Sequence, residues 1–184
     1  MLRLLAILAL AGCFCGAAGG TLLRHALRSQ DAQAKVAPVM IKFVKRNRFS
    51  VGASGLLPGD NVQRVFDLKN VGHTHIHAVS LTTLGVPSTP LVSDPVNGLQ
   101  LRIDRCSKAW RIPPHATGYA CAGLVTQVVA PRPLLGTDIP LANVSDLASP
   151  QHKVRLLLTL TLPSTATSVV MGQTSGITYT FAAA

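Results

Sequence analysis

Apolar and polar residues alternate along much of the chain, and this period of two predicts β-strands. The clearest segment is "KVRLLLTLTLP", which places Val154, Leu156, Leu158, Leu160 and Leu162 on one face. The same rule predicts strands in the following segments, with the apolar residues of each on a buried face: "VAPVMIKFV" (Val39, Ile41, Phe43), "NVQRVFDLKNVG" (Val62, Phe66, Leu68), "GLQLRIDRC" (Leu99, Leu101, Ile103), "GLVTQVVA", and "ITYTF" (Ile177, Tyr179, Phe181).

Turn residues separate these segments. Pro58-Gly59 predicts a chain reversal, and residues 70–72 are expected to turn the chain again. Residues 131–151 are expected to be mostly loop, and the two closing strands are expected to pair across "PSTATSVVMGQTSG". About seven short strands without a convincing helix predict an all-β fold. The architecture expected is an antiparallel β-sandwich of Ig-like or jelly-roll type, formed by one domain over residues 35–184.

The N-terminal region has the pattern of an export signal. "MLRLLAILALAGCFCGAAGG" has a basic start at Arg3, an apolar run too short to cross a bilayer, and then small residues. "AQA" (Ala32–Ala34) fits a cleavage site, which makes residues 1–34 a signal segment. "LAGC" offers an alternative, a lipoprotein site at Cys13. Secretion or display on the cell surface is therefore predicted, with a membrane link only through the signal or a lipid.

The charge of the chain favours an anionic partner. The formal net charge is +10, and it becomes +8 if cleavage follows Ala34. An acidic cell-wall polymer is the partner expected from this charge. Nucleic acid is not expected, because only Lys42, Lys45, Arg46 and Arg48 cluster and no aromatic stacking platform accompanies them.

The two cysteines outside the signal segment are Cys106 and Cys121. In an oxidising compartment an even pair most simply forms a disulfide, and the short enclosed loop implies stabilisation of about 3 kcal/mol. The alternative is a pair of metal-binding thiolates, although two cysteines without a CxxC spacing are a weak zinc signal.

The stretch "HTHIH" raises the question of a metal site. If it is extended, His73, His75 and His77 point to one side and Ile76 to the other, so the histidines are expected to face solvent. A divalent metal bound adventitiously is the alternative, with His115 as a further ligand. Same-face side chains start about 6.6–7 Å apart along a strand, and their imidazoles would have to converge on the ion.

No catalytic signature is present. The chain lacks glutamate, so it has no HExxH zinc-protease motif, and it has no G-x-S-x-G sequence. Asp60, Asp67 and Asp104 are expected to be turn or solvent-face residues. We therefore predict no catalytic residues and no required cofactor.

Three segments resemble one known family. "LLPGDNVQRVFDLKNVG", "GLQLRIDRCSKAW…GYACAG" and "KVRLLLTLTLPSTATSVVMGQTSGITYTF" are similar, in that order, to segments of the camelysin/TasA-like secreted proteins of actinobacterial type. The resemblance implies an exported β-sandwich at the cell surface or in biofilm fibres. It also implies a metallo-endopeptidase as an alternative activity. The basic segment "TLLRHALRSQDAQAK" departs from the usual N-terminal pattern of that family.

The expected function is therefore structural or adhesive. An edge strand of a sandwich can accept a strand from a neighbour, and the segment from Lys35 to Val44 is the candidate for such self-assembly. A monomeric surface module with covered edges is the alternative.

Overall fold

The computed structural model describes residues 39–43 and 55–184, which belong to one compact unit. The predicted signal segment and Cys13 lie outside these residues, as does most of the Lys42–Arg48 cluster. The described residues form ten strands: β1 (Val39–Phe43), β2 (Asn61–Asn70), β3 (Val79–Val86), β4 (Gln100–Cys106), β5 (Trp110–Arg111), β6 (Ala120–Cys121), β7 (Val125–Pro133), β8 (Gly136–Pro140), β9 (Lys153–Thr161) and β10 (Gly176–Ala183).

The strands form two main sheets and one small ribbon. The five-stranded sheet has the order β1-β2-β9-β4-β7, the three-stranded sheet has the order β10-β3-β8, and β5 pairs with β6. Every pairing is antiparallel. Helical structure in the described residues is limited to α1 (Pro90–Ser93) and a 3₁₀ turn at Ser145–Ala148. The all-β sandwich is thus confirmed, with more strands than the sequence predicted.

The core lies between the two sheets, and β9 is at the centre of the larger one. Its leucines at 156, 158 and 160 face the core and are almost completely buried. They pair with Phe66, Arg64 and Val62 of β2 on one side and with Arg105, Ile103 and Leu101 of β4 on the other. The predicted inward faces of β2, β4 and β9 are confirmed. Alternation identified them because a pleated strand sends successive side chains to opposite faces.

The closing strands do not form the predicted hairpin. β9 lies in the five-stranded sheet, whereas β10 pairs with β3 in the other sheet. The predicted inward face of β10 is nevertheless correct, and the rings of Phe66 and Phe181 meet across the core with centroids 5.7 Å apart. Burial also raises the pKa of the Tyr179 hydroxyl above its usual range. Crossing between the sheets allows β9 and β10 to bury their apolar faces against each other.

Residues 131–151 contain more strand than was expected. β7 continues to Pro133, the chain turns at Leu134 and Leu135, and β8 then joins the other sheet. Leu134 is fully buried, and its amide donates to the Leu99 carbonyl at 3.0 Å. Sequence reasoning missed β8 because "GTDIP" is short and carries turn-forming residues.

The reversal at Pro58-Gly59 is confirmed. The Asp60 amide donates to the Leu57 carbonyl at 2.9 Å, and the Asp60 carboxylate accepts from the Leu57 amide at 2.9 Å. Gly59 has φ +94°, a conformation that favours glycine after proline in a type II turn. This turn sets the start of β2.

Asn70 fixes the point where the chain leaves β2. Its buried side-chain amide donates to the carbonyls of Thr74 and Leu147 at 3.0 and 3.1 Å, and its side-chain oxygen accepts from the Gly72 amide at 3.0 Å. One side chain thereby closes the predicted turn at residues 70–72 and connects it to the 3₁₀ turn. Such buried polar groups are costly when a partner is lost.

We predict that Asn70→Ala lowers the free energy of unfolding by about 1–3 kcal/mol. The reason is that the carbonyls of Thr74 and Leu147 and the amide of Gly72 lose their buried partner. Urea denaturation followed by circular dichroism measures the change. Asn61→Ala, at an exposed position of the same strand, is the matched control and should change stability by less than about 0.5 kcal/mol. Equal effects of the two variants would contradict the role assigned to Asn70.

Candidate functional site

The histidine stretch lies in the crossover between the two main sheets. Residues 73–77 are irregular rather than extended into a strand, so this part of the prediction is wrong. The amide of Ile76 donates to the Ala148 carbonyl at 3.1 Å, and that of His77 donates to the Ala184 carbonyl at 2.7 Å. The chain must leave one sheet and enter the other here, and these bonds replace a strand ladder.

The predicted orientation of the histidines is confirmed. His73, His75 and His77 are exposed, whereas Ile76 is buried. His77 also lines a small cavity of about 330 Å³, together with apolar residues such as Val79, Leu141 and Val144 and the polar residues Asn143 and Ser145. Ile76 therefore anchors the crossover and leaves the imidazoles in solvent.

The structure brings no metal-ligand cluster together within residues 55–184. No three side chains of histidine, cysteine, aspartate or glutamate in the described part of the chain are placed to hold one ion. His115 belongs to the segment between the two cysteines and has a left-handed backbone with φ 64°. Adventitious metal binding by His73, His75 and His77 stays a prediction of the sequence.

Cys106 and Cys121 form the predicted disulfide, with their Cα atoms 5.7 Å apart. Both thiols are used in this bond, which leaves none for the alternative thiolate pair. Cys106 ends β4 and Cys121 ends β6. We call residues 107–120, which the bond encloses, the stapled segment.

The stapled segment folds over the outer face of the five-stranded sheet. Its Tyr119 amide donates to the side-chain oxygen of Gln63 on β2 at 2.8 Å. The indole nitrogen of Trp110 donates to the Arg155 carbonyl on β9 at 3.3 Å. The segment is thereby attached at the disulfide and at two central strands.

A groove lies between this segment and the sheet, with a volume of about 610 Å³. This size is typical of small-ligand sites, which span roughly 300–1,000 Å³. The lining combines three groups of residues: polar or charged ones (Gln63, Gln100, Arg102, Asp104, Thr159, Thr161), two aromatic ones (Trp110, Tyr119), and apolar ones with the disulfide cysteine (Leu101, Ala120, Cys121, Val125, Pro131, Leu157). We call it the sheet groove.

The sheet groove contains an internal ion pair. The Arg102 guanidinium contacts both oxygens of Asp104, at 2.7 and 3.0 Å. The Asp104 side chain is 8% exposed and that of Arg102 is 48% exposed. The carboxylate is therefore occupied and covered, while part of the guanidinium remains available to solvent.

The aspartates are placed differently from their predicted positions. Asp60 is a turn residue as expected, but Asp67 and Asp104 are buried rather than solvent-facing. Asp67 accepts from the Lys153 ammonium at 3.1 Å. Since alternation gives the face of a residue but not what covers that face, the sequence could not distinguish the two cases.

Sequence reasoning did not identify the sheet groove. Trp110 and Tyr119 belong to the loop that the predicted disulfide encloses, and the alternation rule says nothing about them, although both stand close to a cysteine and the outer faces of β4 and β9 are largely polar. Their position next to the predicted disulfide is the one signal that could have suggested that this segment covers the outer face of the sheet. The described residues include no helix long and apolar enough to cross a membrane.

We predict that replacing both cysteines with serine lowers the free energy of unfolding by about 3 kcal/mol, because the unfolded chain regains the freedom of the enclosed loop. Urea unfolding of the native protein and of Cys106→Ser/Cys121→Ser measures the difference. A reductant should destabilise the native protein and leave the double variant unchanged. Equal sensitivity of both proteins to the reductant would contradict the assignment.

No protein-family model matches the chain, and no curated protein matches it. The resemblance to the camelysin/TasA-like proteins stays a prediction from the three segments quoted above.

Proposed function

We propose that this protein is an extracellular or cell-surface structural component that assembles with copies of itself by strand addition. The observation that carries the proposal is the edge of β2, of which only half is paired within the described residues. The three sequence segments that resemble camelysin/TasA-like proteins support the same reading. The disulfide supports an oxidising compartment, where such a bond persists.

The unpaired edge follows from the register of β1. β2 has ten residues, Asn61–Asn70, whereas β1 pairs only with residues 66–70. The edge of residues 61–65 has no strand partner in the part of the chain that the structure describes. Unpaired backbone groups at a sheet edge are a template for a strand from another chain.

The direction of the backbone groups can be read from Asn70. Its amide donates to the His152 carbonyl and its carbonyl accepts from the Gln151 amide, so both point away from β1. Because alternate residues of a strand direct these groups to opposite sides, Lys69 and Asp67 direct theirs toward β1, opposite Met40 and Lys42. Residues 61, 63 and 65 direct theirs to the open edge.

β1 is a suitable strand for exchange between molecules. It has five residues and pairs with β2 alone. The open edge at residues 61–65 gives an incoming chain a first contact. The same segment from a second copy can then displace β1 and make the same antiparallel register with residues 66–70. An exchanged strand of this kind links one molecule to the next and propagates into a filament.

The test uses a peptide with the sequence of residues 35–44 as a competitor for filament growth. We expect the protein that begins at Lys35 to form filaments visible by electron microscopy, and the peptide to slow their growth measured by light scattering. A peptide with Lys42→Pro loses the amide directed at β2 and should not compete. A peptide with Ile41→Pro, whose missing amide points away from β2, is the matched control and should compete more strongly than the Lys42→Pro peptide.

A protein that stays monomeric at every concentration would contradict the proposal. So would filaments whose growth neither the native peptide nor the Ile41→Pro peptide slows. The metallo-endopeptidase alternative has no observation in the described residues to favour it, and it stays an inference from the resemblance.

The distribution of charge favours a second candidate function, binding of an anionic wall polymer. Residues 55–184 contain nine lysines and arginines and six aspartates, a formal charge of +3, while the whole chain carries +10. Most of the positive charge therefore precedes Gly55. This candidate is compatible with assembly, since the tested basic residues Lys45, Arg46 and Arg48 follow the segment 35–44 that is proposed to exchange.

We expect the protein that begins at Lys35 to be retained on an immobilised anionic wall polymer, and the retention to fall steeply with salt. Replacing Lys45, Arg46 and Arg48 with glutamine should reduce retention. The matched control replaces Lys108, Arg111 and Lys69 with glutamine and changes charge by the same amount. Retention that is insensitive to salt, or equal losses in both variants, would contradict a role for the basic N-terminal region.

A further inference from the structure

We infer that the sheet groove binds a neutral saccharide chain. This inference does not rest on self-assembly, because the groove presents side chains on the outer face of β2, β9 and β4, whereas strand addition uses backbone groups at the edge of β2. Gln63 contributes its side chain to the groove and its backbone to that edge. It uses only residues of the described sandwich and of the stapled segment.

The floor of the groove is an array of hydrogen-bonding side chains. Gln63, Thr159 and Arg102 lie side by side on β2, β9 and β4, and Thr161 pairs with Gln100 in the next row. Adjacent strands are about 4.8 Å apart, and residues two apart along a strand are about 6.6–7 Å apart. The array is fixed by the ladder of three strands, so it offers hydrogen-bonding groups at set positions to a ligand that carries many hydroxyls.

Several of these groups remain available for a ligand. Gln63 uses its oxygen for the Tyr119 amide, which leaves its NH₂ group. Gln100 uses its NH₂ group for the carbonyls of Pro95 and Gly98, at 3.1 and 3.2 Å, which leaves its oxygen. The groove thus presents both a donor and an acceptor in addition to the threonine hydroxyls. A sugar hydroxyl, which donates and accepts, can satisfy either kind of group.

The walls supply aromatic surface. Trp110 is half-buried, and its indole nitrogen is held by the Arg155 carbonyl, which restricts the ring. Tyr119 is held at its backbone by Gln63. Aromatic side chains that line a groove suit ligands with both apolar and polar surface. The C–H faces of a pyranose ring provide such a surface, and its equatorial hydroxyls then point to the floor.

The charges in the groove favour a neutral ligand. Arg102 and Asp104 neutralise each other, and both carboxylate oxygens are already in contact with the guanidinium. Among the residues that the structure describes, no other charged side chain lines the groove. An acidic sugar would gain little from a cation that is already paired, and a basic ligand would find the carboxylate covered.

The floor also disfavours an extended peptide. Its groups are side chains on the face of a sheet whose central strands β2, β9 and β4 are paired with one another. A peptide strand binds mainly through backbone bonds to a sheet edge, and the floor offers none. The saccharide is therefore the class of ligand that matches the shape, the groups and the charge together.

The test uses the fluorescence of Trp110, which is the only tryptophan in the chain and therefore reports directly on the groove. The probes are the β-1,4-linked tetrasaccharides of glucose and of N-acetylglucosamine, with the tetrasaccharide of galacturonic acid as an acidic comparison. We expect a saturable change in emission with at least one neutral probe at millimolar concentration. High salt should leave this affinity unchanged, since the interaction does not depend on net charge.

Two variants of the same type separate the groove from the rest of the surface. Thr159→Val removes a floor hydroxyl with little change in shape, and we expect the affinity to fall roughly threefold to tenfold. Thr178→Val, on the exposed face of β10, is the matched control and should bind as the native protein does. Circular dichroism checks that both variants keep the β-sandwich.

The inference is overturned if neither neutral tetrasaccharide changes the emission, or if Thr159→Val binds as tightly as Thr178→Val. Binding of the acidic tetrasaccharide alone, lost at high salt, would overturn it as well and would indicate a charge-driven site. A failure of filament formation has no bearing on these results, because they are measured on the individual molecule.

Discussion

The fold depends on the burial of two sheet faces against each other, and β9 contributes to this more than any other strand described. Its inward leucines fill the centre of the core between β2 and β4. A shift of its register by one residue would turn these leucines outward and the polar residues inward, so the register is strongly specified. The same specification fixes the outward positions of Leu157, Thr159 and Thr161. The core and the groove floor are therefore two faces of one strand.

The part of the fold that depends on alternation could be predicted from the sequence. The inward faces of β2, β4, β9 and β10, the reversal at Pro58-Gly59 and the pairing of the cysteines all follow from local patterns and simple chemistry. The pairing of strands could not be predicted in the same way. The sequence predicts both β9 and β10 as strands joined by a loop. The alternation in each strand shows which face is buried, but it does not show whether the two strands lie in the same sheet or in opposite sheets.

In the candidate site, too, local patterns predict which side chains are exposed but not which distant parts of the chain contact them. The exposure of His73, His75 and His77 follows from the burial of Ile76, yet their strand assignment failed because the bonds of Ile76 and His77 to Ala148 and Ala184 are long-range. Asp104 reads as a solvent-face residue, and only the fold of the stapled segment shows that its face is covered. Trp110 and Tyr119 belong to a segment without periodicity, where the sequence carries little information about contacts.

The disulfide has a consequence for the timing of ligand recognition. The bond holds the segment that carries Trp110 and Tyr119 beside β4, so the walls of the groove are secured only after the thiols have been oxidised. A chain kept in a reducing environment would retain the leucine-rich core but would lack this covalent tether on the wall of the groove. Formation of the bond would then also act as a maturation step for the proposed saccharide site, which is complete only in the oxidised chain.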